Sequence, residues 1–274
     1  MSHFTVLVLG GNINEQLAKF DEQLECEAVN EGPVSDDDTQ RFIKRYQEVG
    51  GTKTFDELYD ENGEDWNYNS WRKNAEGVWE EWSSYNPDSK WDWYQVGGRW
   101  GGFFTTKNGV AVDTAKKSEI DFDGMRNDKR NKAIHYYGQL QEAFGGSIPK
   151  LSITWEEAMA IPDKSRDEQR EIFHSQDAME LVKIAKENNK ELFGWSFDLE
   201  EFDCTEDEYG QRAYNSAVST YAVVKDGVWY QKGEMGWWGM STDEVTQDEW
   251  DIQLTKMINE CSNNTEFALV DCHI

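Results

Sequence analysis

The sequence predicts an α+β fold: a ferredoxin-like antiparallel sheet carrying a long helical and Trp-rich insertion. Three observations predict it. A short β-rich apolar run, Phe4–Leu9, stands at the front of the chain, and a second, Phe267–His273, stands at the back. Before the second run, Tyr221–Val224 and Val228–Tyr230 flank Lys225-Asp226-Gly227, the pattern of a tight hairpin. A helical stretch then separates the hairpin from the last strand. In this order the first and last strands are expected side by side and antiparallel. The chain divides into a first strand at 4–9, an insertion over about 11–217 and a hairpin-helix-strand at 218–274, read together as one compact domain over 1–274.

The elements follow in order. Phe4–Leu9 stops at Gly10-Gly11, where GGNINEQ lacks the third glycine of a dinucleotide fingerprint. Asn14–Leu24 reads as a helix with Leu17, Phe20 and Leu24 on one face. A second helix opens after Pro33 and Ser35, places Asp36-Asp37-Asp38 in its first turn, where the helix dipole favours negative charge, and ends at Gly50-Gly51. Phe55–Trp82 is acidic and aromatic without clean periodicity and is expected as short turns. Trp91–Phe104 reads as one or two strands around Gly97-Gly98, with a further tight turn at Asn108-Gly109. Helices are expected over Phe122–Phe144, Trp155–Ile161 (stopped by Pro162) and Asp163–Asn189, and another ends near Ser216. Ser241 or Thr242 is placed to cap a helix from Asp243 that presents Trp250, Leu254, Met257 and Cys261 on one face.

Composition bounds the function. The chain has 274 residues, 14% of them aromatic, enough for a packed core despite the polar average. Its formal net charge of −27 opposes direct contact with nucleic acid or an anionic membrane surface, favours solubility and permits docking on a basic protein. No apolar run approaches the roughly 20 residues of a membrane span. Four scattered cysteines without a CxxC fit reduced thiols, and Met1-Ser2-His3 runs into the first strand without a signal-peptide pattern, so a cytoplasmic location is expected.

Two stretches combine Trp with Gly: Tyr85–Phe104 (YNPDSKWDWYQVGGRWGGFF) and Gly233–Met240 (GEMGWWGM). They are expected to meet and wall a cleft, with Trp93, Trp100, Trp237 and Trp238 as lining or core. Arg99, between two Gly-Gly pairs, is the candidate cation for a carboxylate or phosphate, or else an internal ion-pair partner, for instance of Glu234. Strand pairing would bring His3 beside His273, with Asp271 on the same face, because strand side chains alternate. These three are candidate ligands for a divalent metal, or else polar groups at a sheet edge. No GxSxG, HExxH or Walker loop is present.

SHFTVLVLG, PDSKWDWYQVGGRWGGFF, YAVVKDGVWYQKGEMGWWGM and VDCHI together resemble a family of uncharacterised proteins from bacteriophages and some bacteria, over the whole chain. The resemblance implies a phage accessory protein in the cytoplasm of an infected host, and brings no catalytic residue or cofactor. Two functions are therefore expected in competition. One is a binding protein that occupies a basic host protein, such as a defence complex, through its acidic surface. The other is a protein or enzyme that holds a small ligand, a nucleotide or nucleotide-derived signal, in a Trp/Gly cleft with Arg99.

Overall fold

The computed structural model describes residues 2–35, 69–194, 197–235 and 241–274, with single positions at 37, 41, 44 and 48. They gather into two compact units. One is Met1–Phe103 with Thr220–Glu244 and Asn263–Ile274, and the other is Phe104–Ser219 with Val245–Ser262. The first unit opens with β1 (His3–Leu9), α1 (Ile13–Leu17), β2 (Val29–Pro33), β3 (Asn69–Lys73), β4 (Trp79–Ser83) and β5 (Trp93–Val96). The second contains β6 (Phe104–Thr105), β7 (Ala111–Val112), β8 (Thr114–Lys116), α2 (Phe122–Ala143), α3 (Trp155–Met159), α4 (Arg166–His174), α5 (Asp177–Asn188) and α6 (Glu206–Asn215). The chain returns to the first unit for β9 (Ala222–Lys225), β10 (Val228–Gln231), β11 (Glu234–Met235) and β12 (Ser241–Thr242). α7 (Gln247–Glu260) belongs to the second unit and β13 (Glu266–His273) to the first. The fold is α+β.

The main sheet of the first unit runs β10-β9-β1-β13-β5. β1 and β13 pair antiparallel in the expected register, His3 opposite His273 and Thr5 opposite Asp271. The ferredoxin-like detail does not hold. In that arrangement the return strand of the hairpin would lie against β1; here β9 pairs with β1 directly and in parallel, and β10 sits outside it. The sheet is therefore mixed. The burial pattern gives a reason: Ala222, Val223 and Val224 are fully buried, whereas Val228 and Tyr230 are exposed, so β9 is the strand suited to the interior. Asp226 and Gly227 both take positive φ in the connecting turn.

One face of this sheet carries Phe4, Val6, Val8, Val270 and Cys272 onto Leu17, Phe20 and Trp91. The helix that supplies Leu17 is shorter than its periodicity predicts: α1 ends at Leu17, a 3-10 turn covers Ala18–Phe20, and Leu24 is exposed. The Trp91–Phe104 stretch makes one strand here, not a hairpin. β5 pairs with β13, and Gly97 at φ 72° turns the chain into a 3-10 turn over Gly98–Trp100. A separate antiparallel sheet, β2-β4-β3, occupies part of the stretch read as short turns. The helix expected from Ser35 to Val49 and the segment from Phe55 to Tyr68 fall largely outside the described residues.

In the second unit α2 packs against α6, and Tyr137, Leu140, Ala185, Phe193 and Phe202 form its core. The long helix expected at Asp163–Asn189 is two, α4 and α5. Gln176 separates them. Its buried amide accepts from the N–H groups of Ser152 and Ile153 and donates to the carbonyls of Ile153 and Phe173. α7 begins four residues later than predicted, capped by Thr246, because Ser241 and Thr242 belong to β12. Its buried face is Trp250, Asp251, Leu254 and Ile258.

Candidate functional site

A cavity of about 690 Å³ opens in the first unit, lined by residues of both Trp/Gly stretches and of the sheet. The first stretch supplies Tyr85, Ser89, Lys90 and Asp92, the second Glu234 and Met235. The segment from 86 to 92 is fixed from behind. Buried Asn86 donates to the carbonyls of Lys19 and Asp21 at 2.8 and 2.9 Å. The Lys90 N–H donates to Phe20 O at 2.8 Å, and the indole N–H of Trp91 donates to Leu17 O at 3.2 Å. Trp91 is thus core, and its neighbours in sequence project toward the cavity side.

The apolar wall comes from Phe4, Tyr221, Trp229, Met235 and Ile274. Trp229 sits with its ring 5.0 Å from Phe20 and 6.4 Å from Phe4, centroid to centroid, and donates its N–H to Gln231 Oε1 at 2.8 Å. Tyr221 donates its hydroxyl to Gly233 O at 2.5 Å. Burial, helped by the nearby Glu244 and Glu234 carboxylates, pushes the Tyr221 phenol up against the opposing Ser241 hydrogen bond, so it stays neutral at physiological pH. Both rings are set before any ligand arrives.

The polar part comprises Glu22, Lys90, Asp92, Gln231, Glu234 and His273. His273 Nδ1 lies 2.6 Å from Asp92 Oδ1, and the Asp92 N–H donates to His273 O at 3.0 Å, so ring and carboxylate are locked together. A carboxylate on Nδ1 fixes the tautomer of an imidazole and leaves Nε2 for other partners. Glu234 faces Lys90 at 3.6 Å, not Arg99 as the sequence reading offered.

The other described candidates lie elsewhere in the unit. His3 Nδ1 is 2.8 Å from Asp271 Oδ1, and the rings of His3 and His273 meet edge-on with centroids 5.0 Å apart. Asp271 is buried, and its other oxygen accepts the backbone N–H of Arg99 at 3.0 Å. Strand pairing therefore does bring His3, Asp271 and His273 together, but as two separate His–carboxylate pairs. Among the described residues no group of three or more His, Cys, Asp or Glu side chains is arranged to hold a metal. Arg99 contributes its main chain there, while its side chain is exposed. Trp93 and Trp100 are exposed at 48% and 36% and do not line the cavity. Trp237 and Trp238 lie outside the described residues.

Glu22, Lys90, Asp92, Tyr221 and Trp229 are site residues that no sequence motif marked. Asp92 carried a readable signal: it stands between two tryptophans, next to the chain position that pairs with the end of β13. Glu22 carried none, since only the turn after α1 brings it there. No protein-family model, curated protein or solved structure matches the chain.

Proposed function

We propose that the protein binds a small organic ligand in the cavity of its first unit. The observation that carries this reading is a cavity of about 690 Å³ with a hydrogen-bonded aromatic wall on one side and a fixed His273–Asp92 pair on the other. Ligand sites of roughly 300–1,000 Å³ combine such an apolar lining with a few convergent polar groups. The test is retention. Purified protein is dialysed after exposure to the small-molecule fraction of a bacterial extract, denatured, and its released contents read by mass spectrometry. The native chain retains a species that Trp229→Leu and a cavity-filling Met235→Trp variant lose, while their circular dichroism is unchanged. Equal retention by all three removes the reading.

A second reading has its own support. The carboxylates of Glu191, Asp198, Glu201, Asp203, Glu206, Asp207 and Glu208 are exposed, with Glu200 half-buried. As a phage-type accessory protein in a bacterial cytoplasm, the chain would dock this surface on a basic host protein. Binding to such a partner, captured by pull-down, slows with rising salt, because exposed charges are screened over about 10 Å at 0.1 M. The structure also offers another use for this acidity. Glu157, Glu168, Glu208 and Glu249 each close a capping box at a helix start, and Asp203 and Asp207 pair with Lys150 and Arg130.

A further inference from the structure

Resting on the cavity reading above, we infer that the ligand is an organic cation, an amine or quaternary ammonium group on an apolar body. The lining holds three carboxylates, Glu22, Asp92 and Glu234, against one ammonium, Lys90. Its charge stays negative in either protonation state of His273. Lys90 is already engaged by Glu234 at 3.6 Å, and Asp92 by His273 at 2.6 Å. Glu22 is half-buried and has no ion-pair partner among the described residues.

A carboxylate removed from water without a counter-charge is costly. A cation in the cavity supplies that counter-charge. Four aromatic rings line the same space, Phe4, Tyr85, Tyr221 and Trp229. Ring faces attract ammonium groups and do nothing comparable for anions. The net charge of −27 acts in the same direction by concentrating cations at the surface. The nucleotide expected from Arg99 is not the ligand this cavity suits, because Arg99 does not line it and its one lysine is paired.

The test uses three probes of one shape and different charge: choline, its carbon isostere 3,3-dimethylbutan-1-ol, and 3,3-dimethylbutanoate. Binding to the full chain is followed by ligand-observed NMR titration at millimolar concentration, with competition by benzyltrimethylammonium. Choline is expected to bind roughly tenfold more tightly than the alcohol, the scale of a desolvated cation–ring contact, and the anion more weakly still. Glu22→Gln and Trp229→Leu each reduce the difference between choline and the alcohol, and benzyltrimethylammonium displaces choline. Equal binding of choline and the alcohol, tighter binding of the anion, or no binding of either cation overturns the inference. Those results leave the cavity reading to the retention experiment, which is blind to the charge of the retained species.

Discussion

At Gly98 a single added carbon would collide with a buried charge. The residue has φ +51°, and a Cβ built there would lie 2.4 Å from both Cβ and Oδ2 of Asp271. Because Asp271 sits in the interior of β13, it has no room to withdraw. Gly98→Ala is therefore expected to lower unfolding stability by about 1–3 kcal/mol, the scale of a strained backbone position, and to disturb the His3–Asp271 bond. Urea denaturation and the His3 imidazole NMR signals measure the two effects; an unchanged midpoint would refute the first, and unshifted His3 signals the second. The tryptophans separate in the same way. Trp91 is 7% exposed with its N–H on Leu17 O, so its replacement by Ala should cost about 3–5 kcal/mol. Trp93, 48% exposed, should change stability by no more than about 0.5 kcal/mol when replaced. Cys272 is buried, and burial followed by the Asp271 charge pushes its thiol far above the ordinary range. A thiol reagent is expected to label the half-buried Cys26, Cys204 and Cys261 in the folded chain and to reach Cys272 only after unfolding.

Four helices of the second unit, α3, α4, α6 and α7, share one device, the reciprocal capping box, and α4 shows it most clearly. The Glu168 carboxylate accepts the Ser165 backbone N–H at 2.8 Å and its hydroxyl at 2.9 Å, with Lys164 at 3.2 Å. These bonds, the backbone one first, hold its pKa down at about 2. A depressed carboxylate stabilises the folded state above its unfolded value of 4.5 and loses that contribution as pH falls through the folded value. The helix start is therefore expected to loosen between 4.5 and about 2. Carboxyl NMR titration of Ser165→Ala should show the Glu168 midpoint moved upward but short of 4.5, because the backbone N–H remains as a donor. An unmoved midpoint would show that the hydroxyl contributes nothing. At α7 the corresponding Thr246→Ala change removes the cap on Glu249 N and should cost about 1 kcal/mol in a denaturant melt.

Over the whole molecule, charge dominates. With a net charge of −27, self-repulsion opposes compaction, and added salt screens it. The melting temperature is expected to rise when sodium chloride is raised from low to moderate concentration, as read by calorimetry. A fall would mean that specific ion pairs such as Arg130–Asp207 and Lys232–Glu244 outweigh the general repulsion.

The amino-acid order alone accounts for the elements whose causes are local. β1, the β9–β10 hairpin, α2 and β13 follow from apolar runs, a positive-φ turn at Asp226-Gly227 and helical periodicity. It also determined the register of His3 against His273, since pairing two short apolar strands end to end leaves little freedom. Where a residue's role depended on partners distant in the chain, the folded arrangement set it. The parallel contact of β9 with β1 depends on which hairpin strand is buried, and the break at Gln176 depends on amide groups more than twenty residues earlier. The cavity is the extreme case. It joins Glu22, Asp92, Trp229 and His273, residues from four separate parts of the chain, and apart from Asp92, beside the strand position that meets His273, nothing in the local sequence marks any of them as a neighbour of the others. Local patterns fix which backbone conformation is cheap. Which side chains share a pocket is set by strand order and loop path, because packing of the whole unit selects those.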